Sequence, residues 1–194
     1  MNIPTVLTIL RLIATPIIII LIYIGSLSNI LPEYSIVLVV SAGILFAIAA
    51  ITDFIDGKLA RSTSQVTKLG TFLDPIADKF MVCCVLATLI LVYSETNYRI
   101  LFTILTTAVI SREILITGLR EWTARMRVEE TSAVSQSGKM KAGFQMTGIT
   151  MLILALSINN NIFTQISMVI FGIGVLLGLT SAYGYMKASI KTFI

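Results

Sequence analysis

Six stretches of this chain are apolar over the length that a helix needs to cross a lipid bilayer. They run about 4–24, 34–56, 71–93, 98–119, 141–160 and 162–186, each close to the roughly 20 residues of a span. A helix satisfies its own backbone hydrogen bonds, so hydrocarbon tolerates it. Only 12% of the 194 residues are charged, and the mean hydropathy is +0.94. A soluble domain of this length carries about twice that charged fraction. The expectation is an all-α membrane protein: a six-transmembrane-helix bundle, with residues 1–194 forming one membrane domain. The stretch 4–24 could imitate a signal peptide, but no basic segment precedes it and no clear small-residue cleavage site follows. It is expected to be the retained first helix.

Lysine and arginine placement sets the expected orientation. With both termini in the cytoplasm, Lys58, Arg61 and Lys68 fall in the first inner loop. Arg120, Arg125, Arg127, Lys139 and Lys141 fall in or beside the second, and Lys187 and Lys191 on the tail; the outer loops hold only Arg99. The net charge of +4 then reflects this bias and anionic lipid head groups rather than nucleic acid. No basic run with interleaved aromatics suggests RNA or DNA. Cys83 and Cys84 sit inside an apolar stretch and are expected to fill space. The chain has no histidine, which excludes a His/Cys zinc site and a catalytic histidine, and moves acid–base chemistry onto carboxylates. No internal repeat supports an inverted-repeat transporter. The polar stretch of about 120–141 is expected to be a loop with amphipathic edges.

Against this background four aspartates stand out: Asp53, Asp56, Asp74 and Asp78. Ionisable groups at membrane depth are costly and usually mark function. On helices, the i,i+3 spacing of the first pair and the i,i+4 spacing of the second each put both carboxylates on one face. Two facing helices could aim all four into one gap, a polar cavity open to the cytoplasmic side. Salt bridges to Lys58, Arg61, Lys68 or Lys79 would be the plain account of one or two aspartates. Four clustered like charges call for divalent cations, and hard oxygen donors suit Mg²⁺ or Mn²⁺. Two such ions clamp both oxygens of a phosphoryl transfer. Between the aspartates, Gly57 and Ala60 allow a ligand close to the backbone, as does Gly70 one turn before Asp74. Arg61, two turns after Asp53, can meet a phosphate with its fork of donors.

The pattern D-x₂-D-G-x₂-A-R-x₈-G-x₃-D-x₃-D resembles the signature of the CDP-alcohol phosphotransferase family, and every signature position is present. The resemblance implies six membrane helices, a two-metal site at the cytoplasmic side and a homodimer. It implies that Asp53, Asp56, Asp74 and Asp78 hold the metals, that Asp78 is also the general base, and that Gly57 and Arg61 contact the CDP diphosphate. It fixes the donor chemistry and leaves the acceptor alcohol open.

Other segments narrow the acceptor. Asn2 to Arg11, Ser111-Arg112-Glu113, Leu119-Arg120-Glu121-Trp122 and Ser135 to Gln145 resemble bacterial members of the family that act on glycerol 3-phosphate. The implied substrates are CDP-diacylglycerol and sn-glycerol 3-phosphate. That acceptor is a dianion and needs cations beyond those binding CDP. Arg112, Lys139 and Lys141 are the expected acceptor-phosphate pocket, with Arg120 a further candidate. The alternative for the lysines is snorkelling. For Arg112 it is a salt bridge with Glu113 or a neighbouring helix, although adjacent helical residues diverge. Arg11 either snorkels or touches nucleotide or lipid phosphates. Asn2, Thr5 and Thr8 are expected to cap the first helix, near Pro4. Gly174 and Gly178, with Gly172 and Ala182 nearby, suit close packing within one chain, or dimerisation. The rival functions are the same chemistry on inositol phosphate, serine or phosphatidylglycerol, and, from another class, divalent-cation transport.

Overall fold

The computed structural model describes residues 3–27, 32–63, 68–125, 136–158 and 160–190, and within them the side chains other than those at 3–4, 54–63, 68–71, 74, 124–125, 136–139 and 188–190. Its regular structure is helical throughout: α1 (Ile3–Ser26), α2 (Pro32–Thr63), α3 (Lys68–Tyr93), α4 (Arg99–Arg125), α5 (Gln136–Ile158) and α6 (Asn161–Ile190). All six are long and apolar enough to cross a membrane. The chain is a multi-pass, all-α membrane protein.

The helices outrun the apolar stretches, chiefly at one end. α2 continues to Thr63, α3 starts at Lys68, α4 continues to Arg125 and α5 starts at Gln136. Lysine, arginine and alanine are good helix formers, so the helix persists where the apolar run stops. Helix therefore takes both edges of the polar stretch 120–141, and its centre lies outside the described residues.

The principal pairings are α1 with α2, α2 with α5, α5 with α6, α6 with α4, α4 with α3, and α3 with α1. They form a closed circuit in which every helix has two main neighbours. Each contributes to one apolar core, including Ile18 and Ile22 (α1), Phe46 (α2), Met81 and Leu86 (α3), Phe102 (α4), Ile149 and Leu152 (α5) and Phe171 (α6). Large apolar side chains such as Ile13, Ile17 and Ile20 face outward, toward lipid. α5 and α6 approach closely because glycine meets backbone twice. A Cβ on Gly148 would lie 2.6 Å from Phe171 Cα, and one on Gly174 would lie 2.6 Å from Gln145 N. Gly174 thus serves packing within the chain.

Residues at three- and four-residue spacing make the inner face of α1: Thr5, Thr8, Arg11, Thr15, Ile18 and Ile22, all at most 3% exposed. Its first half is polar and its second half apolar. Thr5 and Thr8 are inward-facing helix residues rather than the expected caps; Asn2 lies outside the described residues. At the opposite end the ties are short. Asn160 Oδ1 accepts the N–H groups of Ile162 and Phe163, capping α6. The Tyr98 hydroxyl meets Asn161 Oδ1 across the α3–α4 and α5–α6 turns.

Candidate active site

The carboxylate centre is organised by α1, whose neighbours in the circuit are α2 and α3. Arg11 reaches from its inner face and is 3% exposed. Its Nη1 lies 3.0 Å from Asp53 Oδ1 on α2 and also pairs with Asp78 Oδ1 on α3. Two carboxylates from two helices therefore converge on one positively charged atom. The snorkelling expected as one option for Arg11 does not occur, because the side chain points inward to this pair. Thr15 Oγ1 donates to the Arg11 carbonyl, 2.9 Å away, on the same stripe.

Asp56, Gly57, Ala60 and Arg61 lie in the last turns of α2, and Gly70 and Asp74 in the first turns of α3. Asp56 follows Asp53, and Asp74 precedes Asp78, by about one helical turn of backbone. The side chains of Asp56, Ala60, Arg61 and Asp74 lie outside those described. Among the described residues no group of three or more carboxylate or thiol side chains meets; Asp53 and Asp78 supply two hard oxygen donors from separate helices, the donor type that divalent cations such as Mg²⁺ take.

A second, basic centre stands on α4, α5 and α6. Arg112 Nη1 pairs with Glu113 Oε1, and Lys141 Nζ lies 3.3 Å from that same oxygen. A Cβ on Gly178 of α6 would lie 3.4 Å from Lys141 Cε and 3.7 Å from Arg112 Nε, so both cationic stems run past a glycine. The pairing of Arg112 with Glu113 corrects the expectation that adjacent residues diverge too far to meet. Divergence governs Cβ directions, whereas a guanidinium on a long stem can curl back to a carboxylate that another helix also engages. Arg112 Nε is buried without a hydrogen-bond partner among the described residues, a donor that a ligand oxygen could complete. Arg120 lies further out, its guanidinium 5.9 Å from the centre of the Tyr185 ring on α6. Lys139 is in the first turn of α5, with its side chain outside the described set.

Asp78 and Lys79 join the two centres. While Asp78 pairs with Arg11, Lys79 Nζ donates to Thr117 Oγ1 on α4. Lys79 also lies within the electrostatic reach of Arg112, Arg120 and Asp78. It is no simple counter-ion to the aspartates, as the salt-bridge alternative required. Glu113, Thr117 and Arg120 follow one another at i, i+4 and i+7, so one stripe of α4 meets Lys79, Lys141 and Tyr185.

The cross-helix contacts of Arg11, Glu113 and Lys79 are not visible in the sequence. A signal existed for Arg11, the only charged residue of its apolar stretch and on one helical stripe with three threonines. A similar stripe existed for Glu113. Neither shows which helix will stand opposite.

A family profile described as CDP-alcohol phosphatidyltransferase matches residues 1–180. The chain is 36% identical over 194 residues, 99% of its own length and 97% of the relative's, to a protein of Rickettsia bellii named CDP-diacylglycerol–glycerol-3-phosphate 3-phosphatidyltransferase. It is similar to proteins of the same name from Salmonella choleraesuis, at 35% identity, and Shigella flexneri serotype 5b, at 33%; each match covers 97% of this chain and 94% of the relative. A family match across almost the whole chain, with signature residues at the ends of α2 and α3, leads to one conclusion: the chain belongs to the CDP-alcohol phosphatidyltransferase family.

Proposed function

We propose that the protein transfers the phosphatidyl group of CDP-diacylglycerol to the 1-hydroxyl of sn-glycerol 3-phosphate, giving phosphatidylglycerol phosphate and CMP. The observation that carries this reading is the end-to-end likeness to relatives named for that reaction. The geometry is in keeping with it: an acidic and a basic centre meet where Asp78 and Lys79 stand side by side. A diphosphate donor held through divalent cations needs the first, and a dianionic acceptor needs the second.

The acyl chains of the donor lie in the bilayer and its cytidine diphosphate in the polar end of the bundle, which faces the cytoplasm with both termini. Asp53, Asp56, Asp74 and Asp78 would hold two divalent cations, Mg²⁺ or Mn²⁺. When bound, these supply charge neutralisation to the diphosphate and to the departing CMP. Gly57, Ala60 and Gly70 leave room beside the backbone, and Arg61 meets the diphosphate. Arg112, Lys139 and Lys141 hold the acceptor phosphate, with Arg120 at the rim. Asp78 takes the proton of the 1-hydroxyl. That oxygen attacks the phosphorus bearing diacylglycerol, its new P–O bond forms, and the bond from that phosphorus to CMP breaks. Most of the rate enhancement comes from positioning and fixed charge. A paired assembly of two chains is part of the proposal and rests on the family resemblance.

The test is an acceptor comparison. Purified protein with CDP-diacylglycerol and Mg²⁺ is offered glycerol 3-phosphate, serine, inositol phosphate or phosphatidylglycerol, and CMP release is measured. Release is expected with glycerol 3-phosphate. Preferential release with another acceptor would reassign the substrate, and metal flux in liposomes without CMP release would favour transport.

A further inference from the structure

Glu113, we propose, is the positioning residue of the acceptor-phosphate subsite: one carboxylate oxygen that fixes Arg112 and Lys141 in the geometry a phosphate needs. This rests on the reading of the basic centre as the place where the acceptor's phosphate binds. A carboxylate is an unexpected component of an anion site, since by charge alone it repels the ligand. Its contacts explain its presence. Glu113 Oε1 receives both Arg112 Nη1 and Lys141 Nζ, from two helices. All three side chains are largely buried, at 13% exposure for each cation and 19% for Glu113.

Without a shared anion, two cations this close repel. The lysine stem is long enough to carry its ammonium away to the head groups. Among the described residues, Lys141 gives one of its three donors and Arg112 one of its five to Glu113. Arg112 Nε is buried and unpartnered among the described residues. The backbone is held as well, because Thr117 Oγ1 donates to the Glu113 carbonyl at 2.6 Å while accepting from Lys79. One turn of α4 therefore sets the relative placement of cations from α3, α4 and α5.

The sign of one kinetic change separates positioning from simple charge. Removing a negative charge beside an anion site should tighten acceptor binding if Glu113 only contributes potential. If it positions the cations, the same removal weakens binding. The experiment compares wild type, Glu113→Gln, Glu113→Asp, Lys141→Ala and the Gln/Ala double variant as full-length protein in nanodiscs with Mg²⁺, varying each substrate separately. Glu113→Gln is expected to raise the KM for glycerol 3-phosphate about tenfold or more, with the KM for CDP-diacylglycerol within about twofold. Glu113→Asp, which keeps the charge but draws it back, should rise less and carries the same test if the Gln variant does not fold. The double variant should fall short of the sum of the two single effects, since both changes break the same Glu113–Lys141 pair. An unchanged or lowered acceptor KM, an equal rise for both substrates, or fully additive effects would overturn the proposal. A wild-type protein inactive with glycerol 3-phosphate would instead remove the reading on which it rests.

Discussion

Arg11 joins two carboxylates from two helices on one buried guanidinium. It pairs with Asp53 and Asp78, so Arg11→Ala leaves two carboxylates facing each other without a shared cation. Because both carboxylates are about a third exposed and keep part of their hydration, the loss is expected on the scale of a charged hydrogen bond, about 1–3 kcal/mol. The variant should melt earlier than wild type in chelator, and added Mg²⁺ should raise its melting temperature by more than it raises wild type's. Equal melting in chelator would show that Arg11 does not hold the carboxylates. Asp78→Asn should abolish turnover while CDP-diacylglycerol binding stays measurable; full activity would remove the base assignment. Lys141→Ala should raise the KM for glycerol 3-phosphate about tenfold or more, the scale of losing a charged hydrogen bond. Unchanged acceptor kinetics would leave Lys141 as an ion-pair partner of Glu113 with no part in binding the acceptor. At this scale helical spacing put acidic residues at the neighbouring ends of α2 and α3, and Asp53 and Asp78 do meet there on Arg11; Asp56 and Asp74 lie outside the described side chains. The partners of Arg11 and Glu113 were not legible, because contacts across helices depend on which faces meet.

The helices themselves were legible from their apolar runs, but not their ends. Apolar length reports where lipid begins, whereas a helix stops where backbone geometry changes, as the continuation of α2 to Thr63 shows. Packing of α5 on α6 depends on glycine, and the sequence indicated Gly174 through its four-residue spacing to Gly178. Gly148 gave no such sign, since its counterpart is the Phe171 backbone on another helix. Adding a methyl group at Gly148 or Gly174 must push helix from helix. Gly148→Ala and Gly174→Ala are each expected to cost about 1–3 kcal/mol, read as lower thermal stability in detergent. Gly118→Ala is the control: among the described residues nothing lies within 4 Å of its added Cβ, and the better helix propensity of alanine should leave stability unchanged or slightly higher. Equal losses at all three positions would refute close packing as the cause.

Across the whole molecule, six alternating passes bring the start of α1, α3 and α5 to the same end as the finish of α2, α4 and α6. That alternation unites centres far apart in sequence: Arg11 with Asp53 and Asp78, and Arg112 with Lys141 and Gly178. Charge bias predicts this end to be cytoplasmic. With Cys83 and Cys84 replaced, a cysteine at the exposed Lys187 should react with an impermeant maleimide only in inverted vesicles, and one at the exposed Asn97 only in intact cells. The reverse pattern would invert the assigned topology. The central claim is that the acceptor's own hydroxyl oxygen attacks the phosphorus bearing diacylglycerol. Its most direct measurement uses glycerol 3-phosphate carrying heavy oxygen at the 1-hydroxyl, with mass analysis of both products. The label is expected wholly in the phosphatidylglycerol phosphate and absent from CMP; loss of the label, or CMP release without a labelled lipid, would contradict attack by that oxygen.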